Sequence, residues 1–188
     1  MKKILFNIIN QIIPIMIGVY LGFALNNYGE KRKVRKQAAT FKTMLINEIQ
    51  ENLEQVESVN LYHDTLTDRV SMMLNSENLM TDFKKFRFTG LRPGIVNSSA
   101  YTTGVQTGIL QEFDIQLIQS LNRLYAYQNN YDDYNSTMIS SFLAKDFPDE
   151  EEEVRSLFTI INMNMSDVNN FERELAYSYK EILEKLGN

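Results

Sequence analysis

ILFNIINQIIPIMIGVYLGFAL, Ile4 to Leu25, runs directly into NNYGEKRKVRK, Asn26 to Lys36. The first stretch is 22 residues without a charge, close to the roughly 20 that a helix needs to cross hydrocarbon. Lys2 and Lys3 precede it, and Lys31, Arg32, Lys33, Arg35 and Lys36 come after it as a cationic collar at the membrane surface. A helix packed on a water-soluble core rarely stays uncharged on all faces for this long. A cleaved signal peptide and a buried helix of a soluble domain are the competing readings. The apolar run exceeds a usual signal h-region, and no small-x-small cleavage site precedes the collar. The expectation is an all-α chain. Residues 1–30 form an N-terminal transmembrane anchor with its collar. Residues 31–188 form a helical water-soluble domain, a bundle of four to five helices.

The polar and small residues of the run share one face. Asn7, Gln11, Pro14, Gly18 and Gly22 succeed one another in steps of four, three, four and four, which keeps them together on a helix. Gly18 and Gly22 form a GxxxG pair that lets a second helix approach closely in lipid, and Asn7 and Gln11 can hydrogen-bond across the same seam. This predicts helix packing through Asn7, Gln11, Gly18 and Gly22, against a second copy or another membrane protein. Pro14 either kinks the helix or lies quietly on this face. Charge counting conflicts over orientation. The collar outweighs Lys2 and Lys3, which places the domain in the cytoplasm by the positive-inside rule. A short basic tail before a single apolar segment equally resembles a signal anchor that exports the domain C-terminal to it.

Charge divides sharply along the 188 residues. Residues 1–36 carry +6 and residues 37–188 carry −11, which make up the −5 of the whole chain. The acidic body argues against general nucleic-acid binding, because phosphate repels it, whereas the basic collar suits lipid headgroups. The absence of cysteine excludes disulfides, thiolate metal sites and a cysteine nucleophile. Three prolines and eight glycines favour long helices.

From Lys31 a helix can run to about Leu74 with no Gly or Pro, carrying Phe41, Leu45, Ile49, Leu53, Val56, Leu66, Val70 and Met73 at helical spacing. It reads as a continuation of the membrane helix, with a possible break at Asn26-Asn27-Tyr28-Gly29. Either it is one long helix of a bundle or a coiled-coil stalk that transmits a signal. Residues 75–97 are the least regular, and Phe83, Phe86 and Phe88, interleaved with Lys84, Lys85, Arg87 and Arg92, are expected to pack on the bundle and leave their charges in water. Ser98 or Ser99 can cap a short helix over Ala100–Gln106, ended near Gly108, and Asp114 can cap a long one to about Ala144. Along it, Tyr125, Tyr127, Tyr131 and Tyr134 are expected to pack with their hydroxyls reaching the surface. Phe147-Pro148-Asp149 breaks that helix. The acids Asp149–Glu153 start the next, where the helix dipole favours them, and Ser166 or Asp167 can cap a continuation or a separate last helix.

His63 is the only histidine, read as a surface residue, and one histidine cannot make a two-histidine zinc site. No GxSxG, P-loop or GxGxxG occurs, and no two acids stand out as an acid–base pair. No enzymatic activity, metal or cofactor is expected.

Two stretches carry a resemblance. Asn26, Asn27, Glu30, Arg32 and Lys33 match an Asn-Asn-Trp-Asn-Glu-x-Arg-Lys-like collar, with Tyr28 for Trp and Gly29 for Asn. Ser99-Ala-Tyr101, Thr107-Gly108-Ile-Leu110 and a helix with Leu117, Leu121 and Tyr125 match an aromatic, a Ser/Thr-Gly turn and a helix opening with paired Leu/Ile. Together these resemble an uncharacterised family of small single-span membrane proteins of Gram-negative bacteria. The resemblance implies a bacterial inner-membrane location with an exported domain, and no chemistry. The expected function is a non-enzymatic interaction or scaffold module whose partners are the bilayer and a second copy or another membrane protein. The alternative is a membrane-anchored ligand-sensing domain.

Overall fold

The computed structural model describes residues 2–144 and 148–187, with side chains from Met16 onward. It is all-α, 86% helical, with five helices and no strand among the described residues. They are α1 (Lys2–Leu74), α2 (Leu79–Lys85), α3 (Ser99–Thr107), α4 (Ile115–Leu143) and α5 (Glu151–Gly187), with a 3-10 turn at Ile109–Glu112 between α3 and α4.

The three long helices share one pattern. On α1 the inward positions from Leu45 run Leu45, Ile49, Asn52, Val56, Val59, His63, Leu66 and Val70. On α5 they run from Val154 through Phe158, Ile161, Met165, Val168, Glu172, Leu175, Tyr179 and Ile182 to Leu186. On α4 they run Leu117, Leu121, Leu124, Gln128, Tyr131, Asn135, Met138 and Phe142. All are buried or half-buried, and each series alternates steps of four and three. That is the 3.5-residue repeat that holds one seam against a partner helix over many turns. Burying this seam drives folding at roughly 1.5–3 kcal/mol for each large apolar side chain. α5 is the central helix, packed antiparallel along α1 on one side and against α4 on the other.

The segment 86–98 fills the space between α1 and α4. Leu91 is buried there, and Gly94 passes so close to both helices that a Cβ would lie 2.7 Å from the Tyr131 hydroxyl and 3.1 Å from Val59. Only glycine fits that approach without displacing one of them. Phe83 and Phe86 meet Phe158 edge-on at ring-centroid distances of 5.8 and 5.1 Å, and Phe88 lies 5.4 Å from Phe142. These aromatics therefore pack on the bundle as expected.

α1 continues from the apolar stretch into the bundle as expected, without the possible break at Asn26–Gly29, since its backbone hydrogen-bonding runs through them. Other sequence expectations change. α5 is one helix, because Ser166 and Asp167 lie inside its continuous ladder. Neither Ser98 nor Ser99 caps α3 from Ncap, whereas Gly108 does end it in the left-handed conformation at φ 72°. Asp114 caps α4 as expected, its side chain accepting from the Gln116 amide at 2.8 Å. Glu153 accepts from the Asp149 and Glu150 amides ahead of α5, so that acid run serves the helix start. The break predicted at Phe147-Pro148-Asp149 falls partly outside the described residues. So does the first half of the predicted span Ile4–Leu25, for its side chains. Among the described residues no helix is long and apolar enough to cross a membrane.

Candidate functional site

Polar residues enter the apolar seam at three levels, and each level ties together helices far apart in sequence. Nearest the N-terminal end of the bundle is Glu48 on α1, 5% exposed. Its Oε2 accepts from the Ala100 amide at 2.5 Å and the Ser99 hydroxyl at 3.2 Å. Its Oε1 accepts from the Tyr101 amide at 3.2 Å and the Tyr125 hydroxyl at 2.7 Å. The carboxylate thus caps α3 from another helix, supplying both acceptors and negative charge at the positive end of the helix dipole. Tyr101 stacks flat on Tyr125 at 4.0 Å. Burial, and then the Glu48 carboxylate, push the Tyr125 hydroxyl far above its ordinary pKa, which keeps it a donor.

The second level holds Asn52, Gln128 and Tyr179. Asn52 pairs with the backbone of Asn97, accepting from its amide at 2.7 Å and donating to its carbonyl at 2.7 Å. Gln128 accepts from Tyr179 at 2.7 Å and from Asn52 at 3.3 Å, and donates to the Asn97 carbonyl at 3.2 Å. Three helices and the 86–98 segment meet in this set.

The third level carries charge. His63 on α1 and Glu172 on α5 are both 0% exposed. His63 Nδ1 lies 2.8 Å from Glu172 Oε1, and Nε2 lies 2.6 Å from the Leu91 carbonyl oxygen. Glu172 also accepts from the Tyr131 hydroxyl at 2.8 Å and the Asn60 amide at 3.2 Å, while Tyr131 accepts from the Gly94 amide at 3.1 Å. A carbonyl only accepts, so Nε2 carries a hydrogen. Glu172 already receives two donors, and Nδ1 donating to it as a third meets every contact of the pair. These contacts favour the imidazolium form. Burial by itself lowers the His63 pKa, but the hydrogen bond and charge of Glu172, helped by the Leu91 and Arg92 backbone, outweigh it and raise the pKa. Next on α4, Asn135 is buried with neither amide atom hydrogen-bonded among the described residues, a cost of about 1–3 kcal/mol for an unmet group.

His63 is thus a fully buried ion-pair partner rather than a surface residue, and the Tyr125 and Tyr131 hydroxyls point inward rather than to the surface. The signal that could have found them is position: His63 and Glu172 occupy seam positions of otherwise apolar series. Tyr134 behaves closer to expectation. Its hydroxyl donates toward Asn164 and Asp167 near the surface, with its pKa pushed up to about 12 by burial and then by Asp167. Beside it, α4, α5 and Leu91 enclose an apolar cavity of about 180 Å³ faced by Tyr134, Met138, Phe142, Ile161 and Met165.

The predicted membrane-facing residues lie apart from these clusters. Asn7 and Gln11 fall outside the described side chains. A Cβ added at Gly18 or Gly22 would meet nothing within 4 Å, so this part of the stripe is open. Lys31, Arg32, Lys33, Arg35 and Lys36 are all exposed. Among the described residues none of the five makes an ion pair. No three His, Asp or Glu side chains gather as a metal site among the described residues. No protein-family model, curated protein or solved structure matches the chain.

Proposed function

We propose that the chain is a membrane-anchored, non-enzymatic interaction module. The start of α1 inserts in a bilayer and the bundle is held rigidly at its surface. One observation carries this reading. From Met16 to Tyr28, α1 exposes Met16, Ile17, Val19, Tyr20, Leu21, Phe23, Leu25 and Tyr28 on every side, each 53% or more accessible. The same unbroken helix then enters the core at Phe41. Such a helix is stable only where an apolar medium or partner covers it, and the collar cations beyond it suit headgroups. The buried polar layers act as register pins. They hold α1, α4 and α5 in one alignment, so that a displacement of the anchor reaches the bundle.

The location proposed is a bacterial inner membrane with the bundle exported, as the collar resemblance implies, and the partner is a second copy or another membrane protein packing on Gly18 and Gly22. A Cβ at Gly18 or Gly22 meets nothing within 4 Å, and both lie outside the bundle core, so isoleucine at the two positions leaves the bundle folded and weakens self-association in membranes. Crosslinking of the full chain in vesicles reads this, and an unchanged oligomer would refute the packing role. A second reading, ligand sensing, is favoured by the cavity beside Tyr134 and Met138, because its wall residue Leu91 also binds His63 on α1. Small apolar compounds that raise the thermal midpoint, with the gain lost in Met138→Phe, support it.

A further inference from the structure

The face of α1 opposite Gly18 and Gly22 leads to a cleft with its own chemistry. Met16, Tyr20, Phe23, Asn27, Glu30, Lys31 and Val34 succeed one another in steps of three and four or as neighbours, so they line one face. Its upper part is apolar and open, with Met16, Tyr20 and Phe23 each about two-thirds exposed or more. Its lower part meets the 3-10 turn in a cleft formed by Asn27, Glu30, Lys31, Val34, Arg35 and Glu112. The cleft thus combines two cations and two carboxylates. Among the described residues none of the four is ion-paired, and Glu30 receives only a long hydrogen bond of 3.5 Å from Asn26.

We infer that this cleft is a binding site for the headgroup of a zwitterionic phospholipid carrying a phosphate and a primary ammonium, phosphatidylethanolamine by chemical class. Lys31 and Arg35 take the phosphate, Glu30 and Glu112 take the ammonium, and one acyl chain lies along Phe23, Tyr20 and Met16. The inference rests on the membrane-anchor reading above. Spacing supports it. Phe23 to Lys31 spans about 12 Å at 1.5 Å per residue, about the depth from the upper acyl chain to the outer edge of the headgroups. Long Lys and Arg side chains reach back toward that level. A site of one sign would select anionic lipid, whereas the two carboxylates repel a bare anion and reward a headgroup that donates hydrogen bonds from a cation. Choline bears the same charge without N–H donors. The opposite face stays free for Gly18–Gly22 packing, so one helix carries a protein seam and a lipid seam back to back.

The test uses the full chain reconstituted in vesicles of equal parts phosphatidylethanolamine, phosphatidylcholine and phosphatidylglycerol. Native mass spectrometry of the detergent-released protein reads which lipid stays bound. The expected result is retention of phosphatidylethanolamine over phosphatidylcholine, roughly two- to fivefold, the scale of an exposed ion pair. Glu112→Gln removes that preference, while Arg35→Gln reduces retention of all three lipids. Both positions are exposed, and circular dichroism checks that each variant stays folded. Retention that mirrors the bulk mixture, a preference for phosphatidylglycerol, or an unchanged ratio in Glu112→Gln overturns the headgroup site. Flotation of the same vesicles separates the two ideas. Protein that floats without headgroup preference refutes only the site, and protein that does not float refutes the anchor and the site together.

Discussion

Replacing His63 by leucine tests the buried charge on the α1–α5 seam. Both partners are 0% exposed, so solvent screening gives no relief. Leucine suits the seam position by shape, and the loss is electrostatic: Glu172 keeps Tyr131 and Asn60 as donors but loses its cationic partner, and the Leu91 carbonyl loses its donor. Stranding one member of a buried pair costs about 3–5 kcal/mol. For a domain of about 150 residues each kcal/mol moves the midpoint by roughly 2–4 °C, so the full chain in detergent should melt on the order of 10 °C lower. The pH dependence adds a sharper signature. The folded pKa of His63 is raised above the ordinary 6.5. The unfolded chain therefore loses this proton first as pH rises. The stabilisation is fully present below 6.5 and falls away as pH rises through the raised folded value. Melting curves across this window should show the gap between wild type and His63→Leu narrowing toward high pH. His63 is the only histidine, so one imidazole resonance in an NMR titration reports the folded pKa directly. A variant within about 2 °C of wild type at pH 6, or a gap that widens toward high pH, would refute the assignment.

Two further perturbations probe the fold's other contacts. Glu48→Ala removes the acceptor of the Ala100 and Tyr101 amides and of the Tyr125 hydroxyl at once; at about 1–3 kcal/mol per stranded group, α3 should lose amide-exchange protection well before α5 does, and equal loss across the bundle would contradict the remote-cap role. Gly94→Ala places a methyl 2.7 Å from the Tyr131 hydroxyl, so denaturant unfolding should show about 1–3 kcal/mol of destabilisation, whereas Gly90→Ala, with nothing within 4 Å, should show only the smaller strain of its positive φ.

Much of the architecture is local and therefore legible in the chain. The alternation of three and four along α1, α4 and α5 needs only sequence spacing, and it marks helices with one buried seam each. Cap and stop residues such as Asp114 and Gly108 act within a turn of their own positions, which is why spacing alone places them. The errors share a cause. Ser98 and Ser99 carry the local signature of a cap, but the acceptor that α3 uses is Glu48, some fifty residues away. Asn26–Gly29 and Ser166–Asp167 carry weak local breaking tendencies, and cooperative hydrogen bonding along a packed helix overrides them.

Composition and period are enough to make this chain helical, apolar at its N-terminal end with a cationic collar, and acidic in its body, because they depend on neighbouring residues alone. No local pattern tells that His63 meets Glu172, 109 residues away, or that Tyr125 and Tyr131 turn their hydroxyls inward. Nor does any bring Glu112 beside Lys31 and Arg35. Those pairings come from the packed bundle, through the antiparallel register of α1 and α5 and the height to which the 3-10 turn rises along α1. Register is set by the whole seam at once, because a shift that improves one polar contact strands the others in a medium that does not solvate them.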